Sequence, residues 1–94
     1  MARVEFTDEA DTQFRRLPRA VQLDFNEIFD WLQRNPLRLP PWVESKQIGE
    51  RRGQSVYRVR VGRFRGIYCF DGEVVTFTRF RDRPNIKYGA QPKL

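Results

Sequence analysis

The sequence predicts a small α+β domain: an N-terminal strand, a two-helix hairpin, then an antiparallel β-meander, with the helices packed on one face of the sheet. Two periodicities and one break between them carry this prediction. Ala10, Phe14 and Leu17, then Val21, Phe25, Ile28, Phe29 and Leu32, recur at helical spacing. From Ser55 to Phe80 the chain alternates β-branched or aromatic residues with polar ones, punctuated by Gly62 and by Asp71-Gly72. The proline-rich run PLRLPP separates the two regimes.

Met1 to Phe6 reads as a short strand with Val4 and Phe6 on one side. A helix starts at Thr7 or Asp8. Asp8, Glu9 and Asp11 occupy its first turn, where the helix dipole favours negative charge, and Arg15 and Arg16 stand near its end. Pro18 breaks it, and the second helix runs from Arg19 to Arg34 until Asn35 and Pro36 stop it. PLRLPP is too short to link domains and reads as an ordered loop packed by Leu37 and Leu39. WVESKQI follows as a strand ending at Gly49, and GERRGQ as a polar turn. Ser55 to Val61, Arg63 to Phe70 and Glu73 to Phe80 complete the meander through tight turns. Tyr57, Tyr68, Trp31 and Trp42 are assigned to packing, and Cys69 to a small buried strand position.

At 94 residues the chain is one domain, residues 1–94, and its 39% hydrophobic content is enough for one modest core. It opens on no apolar run of signal-peptide length, and nowhere do about 18 apolar residues follow one another, so the expected location is the cytoplasm, with no membrane contact. Cys69 stands alone, which rules out an internal disulfide or a multi-cysteine zinc site. Histidine is absent, which removes serine–histidine triads and histidine-based nucleases. No metal or cofactor is expected.

The net charge of +6 says less than its placement. Residues 1–50 hold seven Lys/Arg against nine Asp/Glu, and residues 51–88 hold ten against three. Such asymmetry points to a polyanionic partner, either nucleic acid or an acidic protein. In SVYRVRVGRFRGIY, strand alternation sets Tyr57, Val59 and Val61 against Arg58 and Arg60, and then Phe64, Tyr68 and Phe70 against Arg65, Ile67 and Cys69. In the last strand the same alternation groups Val74, Thr76, Thr78 and Phe80 on one face and Val75, Phe77 and Arg79 on the other, with Arg81 continuing that side. One face packs on the helices; the other collects Arg58, Arg60, Arg65, Arg79 and Arg81. Arg51 and Arg52, at the tip of GERRGQ, reach toward the same polyanion.

Arginine suits phosphate because its planar fork donates two parallel hydrogen bonds and stays charged at any physiological pH. If the site cleaves RNA, attack of a 2′-OH on its own adjacent phosphate needs no outside nucleophile. What remains is to orient the attack, stabilise the phosphorane charge and handle two protons. Arg65 with Arg81 or Arg83 suits the charge. Arginine cannot be the base, which leaves Tyr88, Lys87, Lys46, Glu44 or Glu50 as proton acceptor; Tyr88 could instead stack on a base.

The order VEFTDEADTQFRRLP, a long helix ending LQRNP, and then KQIGERRGQSVYRVRVGRFRGIYCFDGEVVTFTRFRDR with a following KY resembles the RelE/ParE superfamily of type II toxins, from Arg3 to Tyr88. The resemblance implies two helices on a twisted antiparallel sheet. For the RelE-like branch it implies a ribosome-dependent endoribonuclease that cuts mRNA in the decoding site, using basic residues and a C-terminal tyrosine without metal. On this chain it implies Arg65, a tail arginine that is Arg81 or Arg83, and Tyr88 as catalytic residues, and Arg58 and Arg60 as the paired strand basics that bind RNA; charge placement adds Arg51, Arg52, Arg79 and Lys87 to the RNA-binding set. The implied partners are a cognate antitoxin that wraps the toxin, the ribosome and its mRNA, and operator DNA contacted through the antitoxin. Arginines stand where some RelE-like members have lysines, which removes a base. The ParE branch, a DNA gyrase inhibitor on the same fold, is the alternative, as is an inactive homologue that binds only antitoxin or DNA.

Overall fold

Local chemistry accounts for both helices in the computed structural model, which describes residues 2–82. After strand β1 (Arg3–Phe6), Thr7 caps helix α1 (Asp8–Arg15): its hydroxyl accepts the Ala10 N–H at 3.1 Å, satisfying one orphan donor of the first turn. At the other end Pro18 forbids continuation. The Gln22 side-chain amide donates to the carbonyls of Phe14 at 3.0 Å and Leu17 at 3.1 Å, joining the Leu17 N–H that already reaches the Phe14 carbonyl at 3.1 Å. Helix α2 runs Arg19–Arg34, as the periodicity predicts, and buries Phe25, Ile28 and Leu32.

The connector is ordered but packs differently from the expectation. Leu39 meets the core and Pro40 is buried, whereas Leu37 and Trp42 are 78% and 61% exposed. Both sit at the corner of a reverse turn, one closed by Arg38 N–H to the Asn35 carbonyl, the other by Val43 N–H to the Pro40 carbonyl, and a corner residue points outward. Trp31 is half-buried outside the core cluster, and its indole N–H donates to the Arg38 carbonyl.

Strands β2 (Glu44–Arg51), β3 (Gln54–Val61), β4 (Phe64–Phe70) and β5 (Val74–Asp82) form the antiparallel meander. The sheet order is β1-β5-β4-β3-β2, and β1 pairs with β5 in parallel, Val4 opposite Val75 and Phe6 opposite Phe77. The sheet is therefore mixed rather than wholly antiparallel, since the helices and the meander together supply the long crossover that a parallel pair requires. Strand β2 does not end at Gly49. It continues to Arg51 because the turn is only Arg52-Gly53, with φ of 54° and 79°, the left-handed pair whose twist suits a two-residue hairpin.

The alternation expected for the last strand fails at one residue. Ile67 pairs with Arg79 but Tyr68 pairs with Phe77, so Thr78 is an extra residue, a β-bulge. Val75, Phe77 and Phe80 are consequently buried together on the helix side, while Arg79 and Arg81 emerge on the other face. Where β1 stops, α1 takes over the edge of β5: Thr7 N–H donates to the Phe77 carbonyl at 3.0 Å, and Phe80 N–H to Gln13 Oε1 at 2.7 Å. Between sheet and helices, Phe6, Phe14, Phe25, Phe29, Phe77 and Phe80 interlock mostly edge-to-face, as in the Phe6–Phe14 and Phe25–Phe80 pairs at 5.4 and 5.2 Å. No helix among the described residues is long and apolar enough to cross a membrane.

Candidate nucleic-acid interface

The sheet face turned away from the helices is built in register rows. In one row Glu44, Arg60, Arg65 and Arg81 lie side by side on β2, β3, β4 and β5. In the next, Lys46, Arg58, Ile67 and Arg79 do the same, and a third holds Gly49, Val56, Cys69 and Thr76. Arg51 follows on the same face, opposite Gln54. Five arginines from three strands thus share one surface, together with Lys46 and Arg51. Arg79 and Arg81 are exposed, and Arg58, Arg60 and Arg65 are half-buried. Arg60 is ion-paired to Glu44 at 3.2 Å. Among the described residues no carboxylate lies within ion-pairing distance of Arg58, Arg79 or Arg81.

This face is hollow. A cleft of about 460 Å³ is lined by Arg51, Arg79 and Arg81 with Ile48, Ile67, Thr78 and Glu9. A second hollow of about 320 Å³, sharing Arg51 and Thr78 with it, adds Arg52, Gln54, Cys69 and Thr76. Two bulges shape it: Thr78 on β5, and Ile48, which the irregularity between Gln47 and Gly49 throws out of the β2–β3 ladder. Cys69 is accordingly half-buried beside the arginines rather than in the core, because its neighbours Val56 and Thr76 lie on the face that no helix covers. A cavity of about 580 Å³ elsewhere, between β1 and the helices, carries Asp8, Asp11 and Asp30, the wrong sign for a polyanion.

Several sequence-derived residues sit away from the cleft. Glu50 pairs with Ser55, which places it on the helix side, so it is not available as a base here. Tyr57 and Tyr68 stack at 5.2 Å in the core layer. Burial, and secondarily Tyr57, pushes the Tyr68 hydroxyl far above the ordinary tyrosine value, so it stays neutral. Arg83, Lys87 and Tyr88 lie outside the described residues. The residue that sequence reasoning missed is Glu9, whose acidity is fully explained by its place in the first helical turn and which only the tertiary fold brings to the arginines.

No family model matches the chain, and no curated protein does either. Solved structures do. The RelE–RelB complex of the archaeon Pyrococcus horikoshii is similar with a TM-score of 0.75 at 23% identity, over 87% of this chain and 94% of that one. The RelBE2 toxin–antitoxin complex of Mycobacterium tuberculosis is similar with a TM-score of 0.65 at 26% identity, over 87% and 98%. The DinJ–YafQ complex of E. coli is similar with a TM-score of 0.66 at 15% identity, over 95% and 100%. The chain therefore has the RelE-like toxin fold, two helices on one face of a five-stranded mixed sheet.

Proposed function

We propose that this protein is the toxin of a toxin–antitoxin pair and an endoribonuclease that cleaves mRNA on the ribosome by 2′-OH attack. The observation that supports this reading is the register-aligned arginine face, hollowed into a cleft on the side of the sheet the helices leave open. Arg65 and Arg81, neighbours in one row, stabilise the phosphorane charge, with Arg83 and Tyr88 completing the catalytic set. Arg58, Arg60, Arg79, Arg51, Arg52 and Lys87 hold the flanking phosphates. The protein works in the cytoplasm and is neutralised by a cognate antitoxin, since the similar structures are toxin–antitoxin complexes; the pair contacts operator DNA through the antitoxin.

The test is to induce the protein, map mRNA 5′ ends and assay supercoiling in parallel. Growth arrest with new 5′ ends in translated mRNA is expected. Arg65→Ala should relieve the arrest while the fold stays intact, because loss of one transition-state donor costs about 100- to 1000-fold in rate. Undiminished arrest by a folded Arg65→Ala protein overturns the nuclease assignment. Blocked supercoiling with intact mRNA would make the target DNA gyrase, and the absence of any toxicity would make the chain an inactive homologue.

A further inference from the structure

Resting on the nuclease reading above, we propose that Glu9 is the residue that accepts the 2′-hydroxyl proton. The arginine face has ample charge for the phosphorane but needs a base, and arginine cannot serve. Of the carboxylates expected near it, Glu44 is engaged by Arg60 at 3.2 Å and Glu50 lies on the opposite side of the sheet. Glu9 lines the cleft itself, with Arg51, Arg79 and Arg81.

Its placement is built into the fold rather than being an accident of a surface side chain. Gln13, one helical turn further along α1, donates its amide N–H to Glu9 Oε2 at 3.1 Å. The carbonyl of the same Gln13 side chain accepts the backbone N–H of Phe80 at 2.7 Å, between Arg79 and Arg81 on β5. One amide therefore bridges the strand that carries two of the cleft arginines to the carboxylate, the relation of orienting group to base that proton transfer requires. A purely dipolar role would place no demand on which side of α1 the residue stood. Asp8, in the same turn, faces the separate acidic cavity.

In the reaction the 2′-oxygen bonds to phosphorus as its O–H bond breaks, and the proton passes to the Glu9 carboxylate. The bond from phosphorus to the 5′-oxygen breaks, and that oxygen takes a proton from water. The products are a 2′,3′-cyclic phosphate and a 5′-hydroxyl, and Glu9 returns its proton to solvent.

The test compares wild type, Glu9→Gln and Asp8→Asn in a reconstituted translation system, measuring kcat and KM for mRNA cleavage, with thermal unfolding of each protein alongside. Glu9→Gln keeps the shape and the contact with Gln13. It should lower kcat by about 100-fold or more, the usual contribution of a general base, while KM is unchanged or falls, since a negative charge leaves a cationic cleft. Asp8→Asn should cleave like wild type. Unchanged kcat in Glu9→Gln, or an equal loss of kcat in both variants, overturns the assignment of Glu9 and leaves the nuclease reading standing. A wild-type protein that leaves ribosome-bound mRNA intact overturns both.

Discussion

Replacing Gly66 by alanine tests the packing that sets the arginine face. Gly66 lies on β4 between Arg65 and Ile67, opposite Val59 on β3 and Phe80 on β5, and is buried. A Cβ built there would stand 3.1 Å from a ring carbon of Phe77 and 3.2 Å from ring carbons of Phe25 and Phe80. These are short of ordinary carbon–carbon contact by several tenths of an ångström. None of the three rings has room to swing away, because Phe77 and Phe80 are stacked at 5.2 Å, Phe25 meets Phe80 at 5.2 Å, and Phe29 closes on Phe77 at 5.0 Å. Overpacking of this kind costs about 1–3 kcal/mol, and the backbone entropy gained in exchanging glycine for alanine offsets roughly 0.5–1 kcal/mol of it. The net expectation is a loss centred on about 1 kcal/mol, or about 4–8 °C in Tm for a domain of this size. Thermal and urea unfolding of purified Gly66→Ala measure it directly. A variant as stable as wild type would mean that the three rings do not converge on this glycine, and the register that aligns Arg65 with Arg81 would lose its main support.

Two further outcomes follow from the charged groups. Removing Arg79 and Arg81 together should weaken binding of uncleavable 2′-O-methyl RNA and make the slope of log K against log salt shallower by about 1.4, the share of two single-strand phosphate contacts; weaker binding at an unchanged slope would place those arginines away from phosphate. Asp71 Oδ1 accepts the N–H groups of Val74 at 2.7 Å and Glu73 at 2.8 Å, which lower its carboxyl pKa, Val74 first. With the folded value depressed, its stabilisation is present above the ordinary aspartate range and disappears as pH falls through the lowered value. The stability difference between wild type and Asp71→Asn should accordingly be flat near neutrality and narrow on acidification; a difference that does not change with pH would refute the linkage.

Much of the fold is readable from one dimension because its causes are local. The span Arg19–Arg34 follows from an apolar stripe bounded by two prolines, and the β4–β5 connection from Asp71-Gly72, whose Gly72 has φ of 101°. The gathering of Arg58, Arg60 and Arg65 on one face also follows from simple alternation. What escapes is non-local. Nothing around Thr78 marks it as the residue the ladder leaves over, nothing in PLRLPPW says that Leu37 and Trp42 occupy turn corners, and Glu9 becomes part of the cleft only because α1 closes the edge of β5 beyond Phe6. The parallel pairing of β1 with β5 unites segments about seventy positions apart, which no periodicity within either can express.

The Thr78 bulge explains how one strand serves both a dense aromatic core and a cationic surface. Val75 and Phe77 must face the helices, and strict alternation from there would turn Arg79 and Arg81 inward and Phe80 outward. Two guanidiniums driven among Phe25, Phe29 and Leu32 would each lose several kcal/mol of hydration with no partner to replace it, and an outward Phe80 would forfeit about 2 kcal/mol of burial. One unpaired residue avoids both costs. Its side chain is not idle, since the Thr78 hydroxyl donates to the Ile67 carbonyl at 3.4 Å and its own carbonyl accepts from the Thr7 hydroxyl at 3.4 Å, so the irregular segment is tied to β4 on one side and to the α1 cap on the other. The same irregularity that keeps the arginines out of the core therefore also fixes the start of α1, and with it Glu9, against the cleft those arginines form.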